Sequence, residues 1–200
     1  MKKMIEVENL TFSYGKRKEN VLDGFSMNLD KGAVYGLLGK NGVGKTTLLY
    51  LMAGLLRPQI GKVYYKGLDV VYRYPQTLQD MFLLPEEFSL PNVSMKQYVK
   101  FNAPFYPKFS EQILNACLND FDMNVDIHLG KLSMGQKKKA FMCFALATNT
   151  SLLMMDEPSN GLDIPSKSQF RKVIASGMSD EKAVIISTHQ VRDIDTLLDH

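Results

Sequence analysis

The sequence predicts an α/β fold with a mainly parallel sheet, an antiparallel β part at the N-terminus and an inserted helical subdomain. Three observations predict it. An apolar run over residues 33–38 leads into a glycine-rich loop and then into a second apolar run over 48–56, which reads as strand, loop, helix. Further apolar runs at 81–84, 151–155 and 183–187 are too short for helices and suit strands covered on both faces. Between residues 89 and 147 the spacing becomes helical, with start and stop signals.

The elements follow in order. Residues 4–12 alternate loosely through Ile5, Val7, Leu10 and Phe12 and predict a strand closed by Ser13, Tyr14 and Gly15. Residues 16–20 are charged and turn-like, 21–29 read as a second strand region, and Asp30, Lys31 and Gly32 turn the chain into strand 33–38. The helix after the loop is expected over 45–56, broken by Arg57, Pro58 and Gly61, and a short strand follows over 62–66 with a turn at Gly67. Pro85 stops the strand at 81–84.

Ser94 and Gln97 form a capping-box pattern for a short helix that Pro104 and Pro107 end. Residues 110–121 predict another, with Ile113, Leu114, Cys117, Leu118 and Phe121 on one face. Phe101, Phe105, Tyr106 and Phe109 are read as packing aromatics. Ser133 and Gln136 repeat the capping box at the start of a helix running to about Ala147, so the helical subdomain is expected over 89–147 within one domain spanning 1–200. The strand at 151–157 gives way to a turn from Pro158 to Asp163, with Asp163 as N-cap of a helix carrying Pro165 in its first turn.

Composition narrows the function. Twenty-four basic and 21 acidic residues, net +3, are too balanced to imply a nucleic-acid partner, and the lysines at 137–139 are read as solvated charge on a helix face. Cys117 and Cys143 lie far apart without metal spacing and are read as buried thiols of a reducing compartment. Acidic residues interrupt any signal-peptide pattern at the N-terminus, and the apolar runs are too short to span a membrane. Any membrane association is expected through a partner.

The chemistry concentrates in the loop Gly39-Lys40-Asn41-Gly42-Val43-Gly44-Lys45-Thr46-Thr47. A triphosphate needs several backbone N–H groups converging without side chains in the way, and Gly39, Gly42 and Gly44 permit that path. Lys45 can reach the β and γ phosphates, Thr46 can offer its hydroxyl to Mg²⁺, and the following helix N-terminus adds positive character. This predicts a P-loop NTPase core.

Strands in such a sheet deliver ligand groups from their C-terminal ends. Asp156 and Glu157 fall there, the first suited to holding Mg²⁺ largely through water, the second to orienting or deprotonating an attacking water. Glu86 and His189 follow other strands to the same edge. Ser133 and Gly135 fit either a well-capped helix start or an anion site, and the residues alone leave both open.

In combination these motifs resemble the ATP-binding cassette family, the ATPase subunits of ABC transporters. A Walker A loop at 39–46, a signature at 132–136, a Walker B strand at 152–157, a turn ending in Asp163 and a switch-type His189 occur in family order over nearly the whole chain. The resemblance implies that ATP and Mg²⁺ are the cofactors. It implies that Tyr14 stacks on adenine, that Glu157, His189 and Lys45 are catalytic, with Glu157 the catalytic carboxylate and His189 in contact with the γ-phosphate, and that Thr46, Asp156 and Glu86 serve the metal. Nucleotide contacts are expected from Gly39, Asn41, Gly42, Gly44, Lys45, Thr46 and Thr47. A second set, Ser133, Gly135, Gln136 and Asp163, is expected to act across a head-to-tail dimer.

The resemblance further implies a separate transmembrane permease, a peripheral position through it on the cytoplasmic face of the inner membrane, and export as the direction. Three departures stand out. Glu86 occupies a place where the family usually has glutamine, Met134 one where it usually has glycine, and the sequence stops at His200, short of the family's further strands and helices, so a C-terminally shortened chain is expected. The alternatives are a soluble ABC ATPase acting on ribosome or DNA, and a low-turnover regulatory module.

Overall fold

A computed structural model of the chain describes residues 3–15 and 19–190. The turn expected over 16–20 lies largely outside the described residues. Two four-stranded sheets form the frame. The first is antiparallel and contains β1 (Ile5–Phe12) and β2 (Leu22–Leu29); β3 (Ala33–Leu38) opens the second, and α1 (Lys45–Met52) follows it. The antiparallel sheet is completed by β4 (Ile60–Tyr65) and β5 (Leu68–Asp69), in the order β2-β1-β4-β5.

α1 is shorter than expected, because Gly54 takes a left-handed φ of 64° and ends the helix one turn before residue 56. β4 begins two residues early, at Ile60. Neither the two-residue β5 nor the one-turn helix α2 (Pro75–Leu78) carries enough periodicity to be foreseen.

The parallel sheet adds β6 (Met81–Leu84), and after it come the helices α3 (Met95–Asn102), α4 (Glu111–Asp120) and α5 (Met134–Ala147). Next are β7 (Leu152–Asp156), α6 (Ile164–Gly177) and β8 (Ala183–Thr188). Its order is β3-β8-β7-β6, all parallel. Both capping boxes are formed, with Ser94 accepting from the Gln97 N–H and Ser133 from the Gln136 N–H, while Asp163 caps α6 through the Ser166 N–H.

Successive residues of a strand face opposite ways, so a strand buried on both sides serves two cores. Leu152 and Met154 of β7, with Ala183 and Ile185 of β8, pack with α1 and the antiparallel sheet. Leu153 and Met155, with Val184 and Ile186, pack with α4, α5 and α6. The helical segment therefore shares its core with the parallel sheet. Phe144 of α5 sits among Phe82, Tyr98, Tyr106 and Phe109, which confirms packing for the last two; Phe101 and Phe105 are exposed instead.

Register fixes the site. Leu38 pairs with Thr188, Asp156 with Ser187, and Leu84 with Met155, so the loop after β3, the carboxylates after β7, His189 after β8 and Glu86 after β6 all leave one edge of the sheet.

Candidate active site

The loop after β3 wraps into the first turn of α1. Gly44 stands at φ 98° and an added Cβ would lie 2.9 Å from Val21 Cγ1 and 3.2 Å from the Val21 carbonyl, so the start of the second strand region closes directly over it. Gly42, at φ 85°, faces open space. Lys45 is nearly buried. Its Nζ donates to the carbonyl oxygens of Gly39 and Lys40 at 2.8 and 3.2 Å and stands 3.4 Å from Glu157 Oε1.

Thr46 Oγ1 donates to Asp156 Oδ2 at 2.7 Å, and Ser187 Oγ donates to Asp156 Oδ1. Asp156, 1% exposed, is thus held from α1 and from β8 at once. Glu157, also buried, takes a left-handed φ of 45° and bonds its N–H to the Ser187 carbonyl at 3.1 Å and to Ser187 Oγ at 3.0 Å. Its Oε2 lies 2.9 Å from His189 Nδ1, whereas Oε1 is buried and takes no hydrogen bond.

The tautomer of His189 follows from its other neighbour. Gln190 Nε2, which can only donate, lies 3.0 Å from His189 Nε2, while Gln190 Oε1 accepts from Lys167. His189 Nε2 therefore accepts, Nδ1 carries the proton, and it donates that proton to Glu157. His189 meets the site through Glu157.

A cavity of about 390 Å³ unites most of these groups, lined by Tyr14, Asn41, Gly42, Gly44, Lys45, Thr46, Thr47, Glu86 and Glu157 among others. Tyr14, 56% exposed, lies perpendicular to the Phe12 ring and shares a 2.9 Å hydrogen bond with Thr47 Oγ1, which fixes it on the cavity wall. Glu86 Oε1 accepts from Asn160 Nδ2 at 2.9 Å, tying the segment after β6 to the turn after β7.

Ser133, Gly135, Gln136 and Asp163 are brought together elsewhere, in a depression of about 350 Å³ with Lys139, Gly161, Leu162 and Ser166. The capping question left open by the residues is answered in part: the Ser133 and Gln136 side chains do close the box. Met134 points outward, 61% exposed. A Cβ on Gly135 would meet only the Gly161 carbonyl, at 3.9 Å, so nothing in its own chain requires glycine there.

One reading is corrected. Of the lysines at 137–139, Lys138 is not solvated: it is 7% exposed and donates to the main-chain oxygens of Glu157 at 2.9 Å and Asn160 at 2.8 Å. Burial pulls its ammonium below the usual lysine range, opposed by the charges of Glu86, Glu157 and Asp156. Ser187 and Asn160 were likewise not foreseen, since a serine at a strand end and an asparagine in a turn carry no distinguishing pattern.

The donor set fits Mg²⁺. Among the described residues no group of three or more His, Cys, Asp or Glu could cage a metal alone. A hydroxyl and a carboxylate already 2.7 Å apart, with Glu86 on the same cavity, suit an ion that keeps waters and takes its remaining ligands from phosphate.

Comparison with known proteins agrees. The ABC transporter family model matches residues 22–160. The lantibiotic transport ATP-binding protein SrtF of Streptococcus pyogenes is 30% identical over 98% of this chain and 84% of its own length. The bacitracin transport ATP-binding protein BcrA of Bacillus licheniformis is 28% identical over 100% of this chain and 66% of its own. Among solved structures, cbiO1 of Clostridium perfringens, part of the ABC transporter complex cbiONQ, superposes with a TM-score of 0.81 at 26% identity, over 100% of this chain and 83% of that one.

Proposed function

The chain belongs to the ABC transporter family as an ATP-binding, ATP-hydrolysing subunit, and we propose that its residues divide the work of hydrolysis between two copies joined head to tail. The glycine loop, Lys45 and Thr46 of one copy hold the triphosphate, with Tyr14 against the adenine. Ser133, Gly135 and Gln136 of the other close over it. The observation that carries this reading is the convergence of Lys45, Thr46, Asp156 and Glu157 within hydrogen-bond or ion-pair distance at one sheet edge.

Phosphoryl transfer to water asks little covalent chemistry of a protein, so positioning and charge supply most of the rate. Thr46, Asp156 and Glu86 would hold Mg²⁺, which neutralises charge on the β and γ phosphates when bound. Glu157 Oε1 is buried, takes no hydrogen bond and faces the Lys45 ammonium at 3.4 Å, so it can accept the proton of an attacking water once Lys45 has turned to the phosphates. His189 donates to the opposite oxygen and so fixes the orientation of the carboxylate. Lys45 exchanges its carbonyl contacts for phosphate oxygens.

The permease surface we assign is the groove of about 480 Å³ between the turn after α1, the segment 73–83 and the helical segment, where Leu55 and Phe105 are exposed beside Leu83 and Tyr106. Docking there places the subunit on the inner face of the membrane. Export is the direction we assign, on the resemblance of the Phe105-Tyr106-Pro107 segment to that of exporters.

Steady-state ATPase with Mg²⁺, wild type against Glu157→Gln, tests the site. The variant should lose turnover by about two orders of magnitude or more, keep ATP affinity, and elute as a dimer with ATP. Turnover per subunit that holds at monomeric dilution would overturn the shared site.

A further inference from the structure

Lys138 lies in the middle of the site's supporting structure, and nothing in the chemistry above uses it. An ammonium taken out of water costs several kcal/mol unless its donors are satisfied. Lys138 meets that cost with two main-chain oxygens, those of Glu157 and Asn160. Lys139 beside it stays at the surface, its Nζ 5.6 Å from the centroid of the Phe121 ring and its side chain on the wall of the depression.

The Glu157 backbone needs such a tie. A left-handed conformation costs a residue with a Cβ about 1 kcal/mol or more and persists only where neighbours impose it. Here the N–H is fixed by Ser187 and the carbonyl by Lys138, so the peptides on both sides of the Glu157 Cα are held. The Asn160 carbonyl is held by the same ammonium while its amide donates to Glu86.

We propose that Lys138 is a positioning residue for hydrolysis: from α5 it holds the main chain of Glu157 and Asn160 and thereby fixes the direction of the Glu157 carboxylate. This rests on the reading of Glu157 as the group that accepts the water's proton. It also gives α5 two duties in one subunit, its N-terminus facing the nucleotide of the partner copy and its next turn steadying the carboxylate of its own.

The test measures kcat, equilibrium ATP affinity and thermal midpoint in parallel on wild type, Lys138→Arg, Lys138→Gln, Lys138→Met and Glu157→Gln. ATP affinity should stay within about threefold throughout the Lys138 series, while kcat falls by about tenfold or more in Lys138→Met, less in Lys138→Gln and least in Lys138→Arg, which keeps charged donors. A kcat for Lys138→Met within about twofold of wild type overturns the proposal, as does a loss of ATP affinity proportional to the loss of kcat, the sign of general loosening. Should Lys138→Met fail to fold, Lys138→Gln decides, and wild-type turnover there overturns it equally. If Glu157→Gln turns over like wild type, the reading of Glu157 falls and Lys138 with it; if only the Lys138 variants are unaffected, Lys138 alone falls.

Discussion

The cavity around the glycine loop and the depression at the start of α5 are made on opposite plans. In the first, almost every functional side chain is already bound to another: Lys45 to loop carbonyls, Thr46 and Ser187 to Asp156, His189 to Glu157. In the second, the capping bonds close within the helix end, and Gly135 and Gly161 have space around them that their own chain does not fill. A network of fixed dipoles spends little reorganisation when a charged ligand arrives, so the first surface is organised as a binding site in its own right. The second has the form of a lid for a site elsewhere.

Gly135→Asp breaks the comparison most severely. The new Cβ meets no atom closer than 3.9 Å, and a carboxylate in the first turn of a helix is favourable, so folding should be unharmed. Facing a triphosphate, the same carboxylate repels. ATP binding by the monomer should be unchanged, whereas ATP-dependent dimerisation is lost and turnover falls by about a hundredfold. Mixing this variant with an equally inactive Lys45→Ala chain should restore turnover, because the mixed dimer then holds one site with both halves intact. No recovery on mixing would mean that the two surfaces do not share a nucleotide.

The frame that holds the two surfaces in place is tested at Asp80. Its carboxylate accepts from Lys66 and Tyr65 of β4 and its turn, from Lys108 of the helical segment and from Ser151 before β7. Burial alone would raise this carboxyl, but those donors outweigh it and hold it well below the usual carboxylate range. Removing the acceptor leaves partly buried donors unpaired, so Asp80→Ala should cost about 2 kcal/mol in urea unfolding. A depressed folded-state pKa contributes stability that is complete above the unfolded value and is lost as pH falls, so the gap between wild type and Asp80→Asn should be widest near neutrality and shrink below about pH 4. A gap independent of pH would mean the carboxylate charge is not what matters.

How much of this the sequence discloses differs between the two surfaces. The glycine loop, Asp156, Glu157 and His189 are legible because short apolar runs ending in such residues have one arrangement in a parallel sheet, and register then brings their ends together. Ser133 and Gly135 are legible as a helix start that is either capped or open to an anion, and the residues alone do not choose, because the proposed second use depends on a surface that another copy would present. Lys138 is not legible for a related reason: three adjacent lysines look alike in sequence, and only the approach of the turn at 157–160 distinguishes the middle one. The end of α1 is hidden in the sequence because apolar residues continue past it, while Gly54, which takes the left-handed turn, sits inside the apolar run.

The smallest effect, and the sharpest, is expected at Glu86, which lines the cavity and is tied through Asn160 to the turn that carries Gly161. Glutamine in its place keeps a carbonyl oxygen, so the 2.9 Å bond from Asn160 Nδ2 can persist and the geometry with it. What changes is one negative charge on the cavity wall. That charge should attract Mg²⁺ and repel free ATP, and the partial exposure of Glu86 keeps each effect small. In Glu86→Gln the Mg²⁺ concentration for half-maximal turnover should therefore rise by about threefold while the Kd for metal-free ATP falls by about the same factor, with kcat within about threefold of wild type. Titration of each ligand separately reads the two signs. If both constants move the same way, Glu86 acts through structure and not through charge; if kcat collapses as in Glu157→Gln, the proton acceptor has been assigned to the wrong carboxylate.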